Sequence, residues 1–281
     1  MISLRLADKT ITTEKNAFVM GIVNATPDSF WAGSRGGTQM ALEQIEQGAD
    51  IIDLGAESTR PGSHYVSEDE QIKRLIPVLS EIRRHSDIPV SIDTRKYSVM
   101  KACLDEGADI LNDVSALEDD EKLAGLCAES KIPVILMHKR STPDVMQNNT
   151  EYQDIFKEVD LYLRQRVEHA LKQGISSDKI IVDPGIGFGK NFQANRILVT
   201  ECGKLCGGKY PVVMGVSRKS FVAQITGRNP PPEDRLAGTL ATNMVAVMAG
   251  ASILRVHDVA ATRDMLLVLE NLKSERIGSI S

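Results

Sequence analysis

The 281-residue chain predicts an α/β fold of the (β/α)8 TIM-barrel class, preceded by a short N-terminal β-hairpin. Three observations lead there. Short apolar runs of strand length recur eight times, amphipathic segments of helix length separate them, and two strand entries repeat, one opening on glycine and the other on proline. The length suits one such barrel, which takes about 250 residues. No linker is long enough to divide the chain, so residues 1–281 read as a single domain.

The elements follow in order. "SLRLADKTIT" reads as the hairpin and "AFVMGIVN" as the first barrel strand, followed by a helix from Thr38 to Gln47. "GADIIDLGAES" at Gly48 begins on a glycine suited to a left-handed helix cap, and an apolar strand starts within three residues; "GADILNDVSA" at Gly107 and "GASILRVHDV" at Gly250 repeat the device. In "IPVSIDT", "IPVILMH" and "YPVVMGVS" a proline stands just before the strand, where its missing N–H does least harm. "KIIVDPG" completes the eight. Between the strands the apolar period gives helices over Glu68 to Arg84, Tyr97 to Glu106, Asp119 to Glu129, Tyr152 to Gln173, Ala194 to Leu205, Arg235 to Ala249 and Ala261 to Lys273. Nearly continuous apolar strands belong to a parallel sheet covered on both faces. A doubly wound sheet is the rival, but its G-x-G-x-x-G turn is missing after the first strand. The glycines of "DPGIGFGK" have another spacing, and taken alone they are a weak signal: such a loop turns a corner about as often as it serves a site.

Composition narrows the function. An apolar share of 42%, a charged share of 25% and a formal charge of -5 describe an ordinary globular protein and argue against a general nucleic-acid binder. Any anion site must be local. Four scattered cysteines suit reduced thiols in a cytoplasmic protein, and Cys202 with Cys206 lack a second ligand pair for zinc. The N-terminus lacks the apolar core of a signal peptide. The uncharged run Leu236 to Leu254 is interrupted by Thr239, Thr242, Asn243 and Gly250, which reads as a helix and then a strand, so no membrane partner is expected.

Barrels of this kind work at the C-terminal end of the sheet. In order, the strands deliver Asn24, Glu57 to Arg60, Asp93 with Thr94, Asn112 with Asp113, Met137 with His138, Asp183, Ser217 with Arg218 and Lys219, and Arg255 with His257. Any one of these can be an ordinary helix cap, Asp113 and Thr94 above all. Convergence on one rim weakens that reading, because buried charges must satisfy one another or a ligand. Asp93, Asp183 and Asn112 suit a flat heterocycle bearing several N–H groups, and Lys219 adds a donor toward a carbonyl or ring nitrogen. Arg255 and His257, two apart on one strand, share a face and suit a phosphate or diphosphate. Asn24 could give Mg2+ a neutral oxygen. No Ser-His-Asp or Cys-His nucleophilic set is visible.

"MGIVNATPDSF" (Met20 to Phe30), "IIDLGAESTRPGS" (Ile51 to Ser63), "DPGIGFGK", "GVSRKSF" (Gly215 to Phe221) and "RVHDV" (Arg255 to Val259), in that order, closely resemble the dihydropteroate synthases of bacterial folate biosynthesis, within the pterin-binding barrel family. The resemblance implies a transferase that condenses 6-hydroxymethyl-7,8-dihydropterin diphosphate with para-aminobenzoate, losing diphosphate before the arylamine attacks, with Mg2+ as cofactor. It implies Asp93, Asn112, Asp183 and Lys219 as pterin-binding residues, with Met137, Val114 and Gly215 around them. Asn24, Arg255 and His257 fall at the metal and diphosphate positions. Thr59, Arg60, Pro61, Phe188 and Ser220 fall on the aminobenzoate side, beneath a loop carrying Asp28, Phe30 and Trp31. The catalytic set is then Lys219, Asp93, Arg255 and His257. The family also implies a homodimer and sensitivity to sulfonamides.

Two stretches depart from the family pattern. "WAGSRGG" replaces a shorter loop after "PDSF", and Lys139 with Arg140 make an unusually basic start after His138, readable as a solvated pair or as a steering device. The rival activity is methyl transfer from methyltetrahydrofolate to a corrinoid protein, which shares the pterin pocket and has no use for the diphosphate pair.

Overall fold

A computed structural model describes residues 1–25, 36–57, 66–140 and 150–274. Strands β1 (Ile2–Arg5) and β2 (Thr10–Thr13) form the antiparallel hairpin, with Ile2 opposite Thr13. The barrel strands are β3 (Phe18–Asn24), β4 (Ile51–Gly55), β5 (Val90–Asp93), β6 (Ile110–Asp113), β7 (Val134–Met137), β8 (Ile180–Asp183), β9 (Val213–Met214) and β10 (Ile253–Val256). All pair in parallel in the order β8-β7-β6-β5-β4-β3-β10-β9. A bridge between Val182 and Val212, with Val182 N donating to Pro211 O at 3.0 Å, brings the first and last strands together and closes the ring.

The helices are α1 (Gly36–Glu46), α2 (Glu68–His85), α3 (Tyr97–Asp105), α4 (Lys122–Ser130), α5 (Ile155–Lys172), α6 (Phe192–Glu201), α7 (Ser220–Thr226), α8 (Leu236–Met248) and α9 (Val259–Ser274). Eight of them occupy the expected segments. In α2 the charges follow the helix dipole, with Glu68, Asp69 and Glu70 in the first turn and Arg83, Arg84 and His85 in the last. Helix α6 stops at Glu201 instead of running to Leu205. Gly203 donates to Ala249 O at 3.0 Å and lies so close to that backbone that an added Cβ would stand 2.3 Å from the same oxygen, and Cys206 and Gly207 then turn left-handed. Helix α7 is not read from the sequence because seven residues are too few to show a period.

Strand parity decides what the barrel holds. Phe18, Met20, Ile51, Ile110, Ile135, Ile181, Val213 and Ile253 point inward and pack on Leu4 and Leu6, so the hairpin plugs the N-terminal end. Lys179 fixes the plug by donating to the carbonyls of Arg5 and Leu6. The alternate residues, among them Val19, Ile52, Leu111 and Val182, face the helices in the larger core layer. Two residues further along a strand the same face is reached again. Ile51 is therefore followed inside the barrel by Asp53, Ile110 by Asn112, Ile181 by Asp183 and Ile253 by Arg255. The floor is apolar and the layer above it polar.

Candidate active site

Arg255 organises that polar layer. Its Nε donates to Asp53 Oδ2 at 2.6 Å and its second arm to Asp93 Oδ2 at 2.8 Å. Asn112 donates through Nδ2 to both Asp53 oxygens, at 3.2 and 3.3 Å. Asp53 has no exposed surface, and Asn112 and Asp183 are also buried. Asp183 Oδ1 accepts the backbone N–H of Gly185 at 2.7 Å. Lys219 donates to Ile186 O at 2.6 Å and holds its ammonium 4.8 Å from the centre of the Phe188 ring. Met137 and Val114 are buried beside the polar groups, and Gly215 would place a Cβ 3.8 Å from Lys219 Nζ. Ser220 is exposed as the first residue of α7. At the lip, His257 Nδ1 lies 3.0 Å from Ser217 Oγ, which also accepts the His257 backbone N–H at 3.1 Å. Asn24 is exposed at the end of β3.

Burial tunes these groups. It pushes the Asp93 carboxyl up from 3.8 to about 7, reinforced by the nearby Asp53 charge and opposed by Arg255. It raises Asp183 too, against the pull of Lys219. It brings the Lys219 ammonium down to about 8, with Asp183 resisting. For Arg255 burial works to lower the value, and Asp53 and Asp93 together outweigh it, so the guanidinium stays charged.

Asp93, Asn112, Asp183, Lys219 and Arg255 thus meet in one basin: Arg255 is ion-paired to Asp93, and its charge, like that of Lys219, is felt at Asp183. Thr59, Arg60, Pro61, Asp28, Phe30 and Trp31 lie outside the described residues. Asp113 is not part of the basin. It points outward and caps its own turn, accepting from Ser115 N and Leu117 N at 2.7 Å each and from Ser115 Oγ at 2.6 Å. Thr94 is also engaged outside the basin, accepting from Lys96 N and donating to Gln71 on α2. Lys139 pairs with Asp119 at 3.0 Å, and Arg140 lies 4.3 Å over the Tyr152 ring while donating to Glu151 O. Both cations are tied into local structure, which leaves the steering reading without support. Cys202 Sγ meets Ala246 O, and among the described residues no group of three or more His, Cys, Asp or Glu could hold a metal.

Two buried charges around the basin are not read from the sequence. Asp53 sits inside the apolar run "IIDLG", two residues after inward-facing Ile51; a charge at that spacing was the signal. Lys190 ends "DPGIGFGK" and is buried, donating to Gly185 O and Phe188 O at 2.9 Å each and to His138 O at 3.3 Å. It holds the glycine turn whose Ile186 carbonyl receives Lys219. Nothing in local periodicity marks it.

Comparison with known proteins agrees with this geometry. Residues 20–257 match the family described as pterin binding enzyme. A dihydropteroate synthase of Streptococcus pyogenes is 42% identical over 264 residues, covering 92% of this chain and 97% of that protein. The Xanthomonas albilineans dihydropteroate synthase with 4-aminobenzoic acid superposes with a TM-score of 0.89 at 38% identity, covering 97% of this chain and 98% of that one. The same enzyme in complex with 7,8-dihydropteroate gives 0.85 at 35% identity, with the same coverage. With an eight-stranded barrel, a polar basin at its C-terminal mouth and relatives of this kind along nearly its whole length, the chain belongs to the dihydropteroate synthases of the pterin-binding enzyme family.

Proposed function

We propose that the chain condenses 6-hydroxymethyl-7,8-dihydropterin diphosphate with para-aminobenzoate, giving 7,8-dihydropteroate and diphosphate. One observation carries the reading. Arg255 joins Asp53 and Asp93 in the polar layer above the barrel floor, in the same basin as Asp183 and Lys219, so a bicyclic heterocycle and an anionic substituent on it can be held together. Asp93, Asn112 and Asp183 offer acceptors to the pterin N–H groups, Lys219 offers a donor, and Met137 and Val114 give the ring an apolar wall. Arg255 and His257 receive the diphosphate, while Phe188, Ser220 and the segment with Thr59, Arg60 and Pro61 serve the aminobenzoate.

In the reaction the C–O bond breaks with its electron pair going to diphosphate, and Arg255 and His257 stabilise the growing negative charge. The exocyclic carbon is left cationic and conjugated with the ring, where Asp93 opposes the positive charge. The arylamine nitrogen then bonds to that carbon and releases a proton. An aniline is unprotonated near neutrality, so no general base is needed, in keeping with the absence of a nucleophile-activating set.

The residues fit Mg2+. Asn24 offers one exposed neutral oxygen donor at the rim, as suits an ion that takes most of its ligands from diphosphate and water. When bound, the ion would neutralise charge on the leaving oxygens. Methyl transfer to a corrinoid protein is the weaker reading, since it has no use for Arg255 and His257 together.

Helices α8 and α9, which pack on one another, expose Val245, Met248, Leu267, Val268 and Leu272. We assign this apolar face to a homodimer. No helix among the described residues is long and apolar enough to cross a membrane, and the four cysteines are free and buried, which suits the cytoplasm. The test is turnover. Purified protein with the pterin diphosphate, labelled para-aminobenzoate and Mg2+ should yield labelled pteroate; protein that binds both substrates without forming it would refute the reading.

A further inference from the structure

We propose that Asp53, which stands below the substrate-binding groups, is a positioning residue that sets both halves of the site: it orients the Asn112 amide and anchors the Arg255 guanidinium. The proposal rests on the functional reading above. An ionised carboxylate only accepts hydrogen bonds. Both Asp53 oxygens face Asn112 Nδ2, at 3.2 and 3.3 Å, so the amide must turn its NH2 toward Asp53. The reverse rotamer would set the amide oxygen against a carboxylate. Asn112 is thereby fixed with its oxygen as the end not engaged by Asp53, and it meets the heterocycle as an acceptor. An unconstrained asparagine could offer either end.

The same Asp53 Oδ2 receives Arg255 Nε at 2.6 Å, while the other arm of Arg255 goes to Asp93. Arg255 is thus held by two carboxylates from neighbouring strands, and its position above β10 is fixed before any anion arrives. Register explains how one side chain reaches both. Asp53 stands beside Ser91 on β5, whose small side chain leaves room across the barrel toward Asn112 on β6. Asp53 also points from an apolar floor into the polar layer with no exposed surface, so water cannot substitute for its partners. A carboxylate with a purely structural part would need only one of these contacts. Asp53 contacts a pterin-binding residue and the anion-binding residue at once.

The test is a swap. Asp53→Asn lets the Asn112 amide rotate and removes one anchor of Arg255; KM for the pterin diphosphate should rise roughly 10- to 100-fold, with KM for para-aminobenzoate within about threefold of wild type. Asn112→Asp alone sets two carboxylates face to face and should lose pterin binding. The double variant Asp53→Asn with Asn112→Asp restores one amide donor against one carboxylate, presents an acceptor to the ring again, and should recover roughly threefold or more of the pterin KM relative to either single variant, the Arg255 anchor remaining weakened. Circular dichroism and the unfolding midpoint of each variant report the folded fraction. Wild-type constants in Asp53→Asn would overturn the proposal, as would losses that track the folded fraction with no recovery in the swap. If the wild-type protein itself forms no pteroate, the functional reading fails instead.

Discussion

In the proposed reaction Asp93 opposes the pterin cation, and that role carries a cost to the fold. Burial raises its carboxyl from 3.8 to about 7. A raised value means that the folded state holds this proton more tightly than the unfolded chain does. The resulting stability is fully present below 3.8 and is lost as pH rises through about 7. About three pH units at 1.36 kcal/mol each put the cost of the ionised group at about 4 kcal/mol above neutrality. The attraction of Arg255 is already contained in that value. Asp93→Asn keeps the shape and an acceptor for Arg255 but never ionises. At pH 8 the variant should therefore be more stable than wild type by about 2–4 kcal/mol, on the order of 10 °C in the thermal midpoint, and at pH 4 the two should coincide. At pH 8 turnover should fall about 100-fold or more, since the charge opposite the pterin cation is gone, whereas at pH 4 wild-type Asp93 is itself protonated and the two should turn over alike. Denaturant unfolding at the two pH values, beside the pteroate assay, measures both effects. A variant no more stable than wild type at pH 8, or one that retains its rate there, would refute the reasoning.

Further consequences follow from neighbouring residues. Because Lys219 sits at about 8 and Asp93 at about 7, kcat/KM should fall as pH rises through the first value and as it drops through the second, and a flat profile from pH 6 to 9 would remove both groups from the scheme. Lys219→Ala should lose roughly 100-fold or more in kcat with an unchanged fold, read by turnover beside circular dichroism. Gly185→Ala places a Cβ 1.9 Å from His138 O at a φ of +68°, whereas Gly227→Ala at +66° meets open space; the first should cost more than about 3 kcal/mol and the second about 1 kcal/mol in denaturant midpoints. Lys190→Met removes a donor from three carbonyls, of which Gly185 O keeps the Phe188 N–H, and should destabilise the protein by about 2 kcal/mol, part of the loss being offset by removal of a buried ammonium.

Much of this was legible in the sequence because the barrel repeats itself. Glycine and proline entries mark where strands begin, and parity then fixes what stands inside, so Asp183 and Arg255 could be placed in one basin from their distance along "KIIVD" and "SILR". Parity also separates Asn112 from Asp113, yet both are polar, and only the turn from Ser115 to Leu117 shows that Asp113 caps while Asn112 faces the basin and meets Asp53. Asp53 is hard to read from the sequence because it stands inside the apolar run "IIDLG" and not at a strand end, where barrel chemistry is expected. Lys139 and Arg140 looked functional because a sequence displays charge but not the partner; Asp119 lies twenty residues away, and Tyr152 meets Arg140 from the far end of the same connection. The early end of α6 depends on Gly203 meeting Ala249, a contact between distant segments that no local period encodes.

The central claim is geometric: one basin holds a bicyclic ring on its floor and an anionic leaving group at its lip. A crystal structure of the protein with the pterin diphosphate bound tests it most directly. The claim predicts the ring within hydrogen-bond distance of Asp183 and the amide oxygen of Asn112, with diphosphate oxygens on Arg255 and His257. A ligand bound elsewhere, or a ring in this basin with its diphosphate turned away from Arg255, would contradict it.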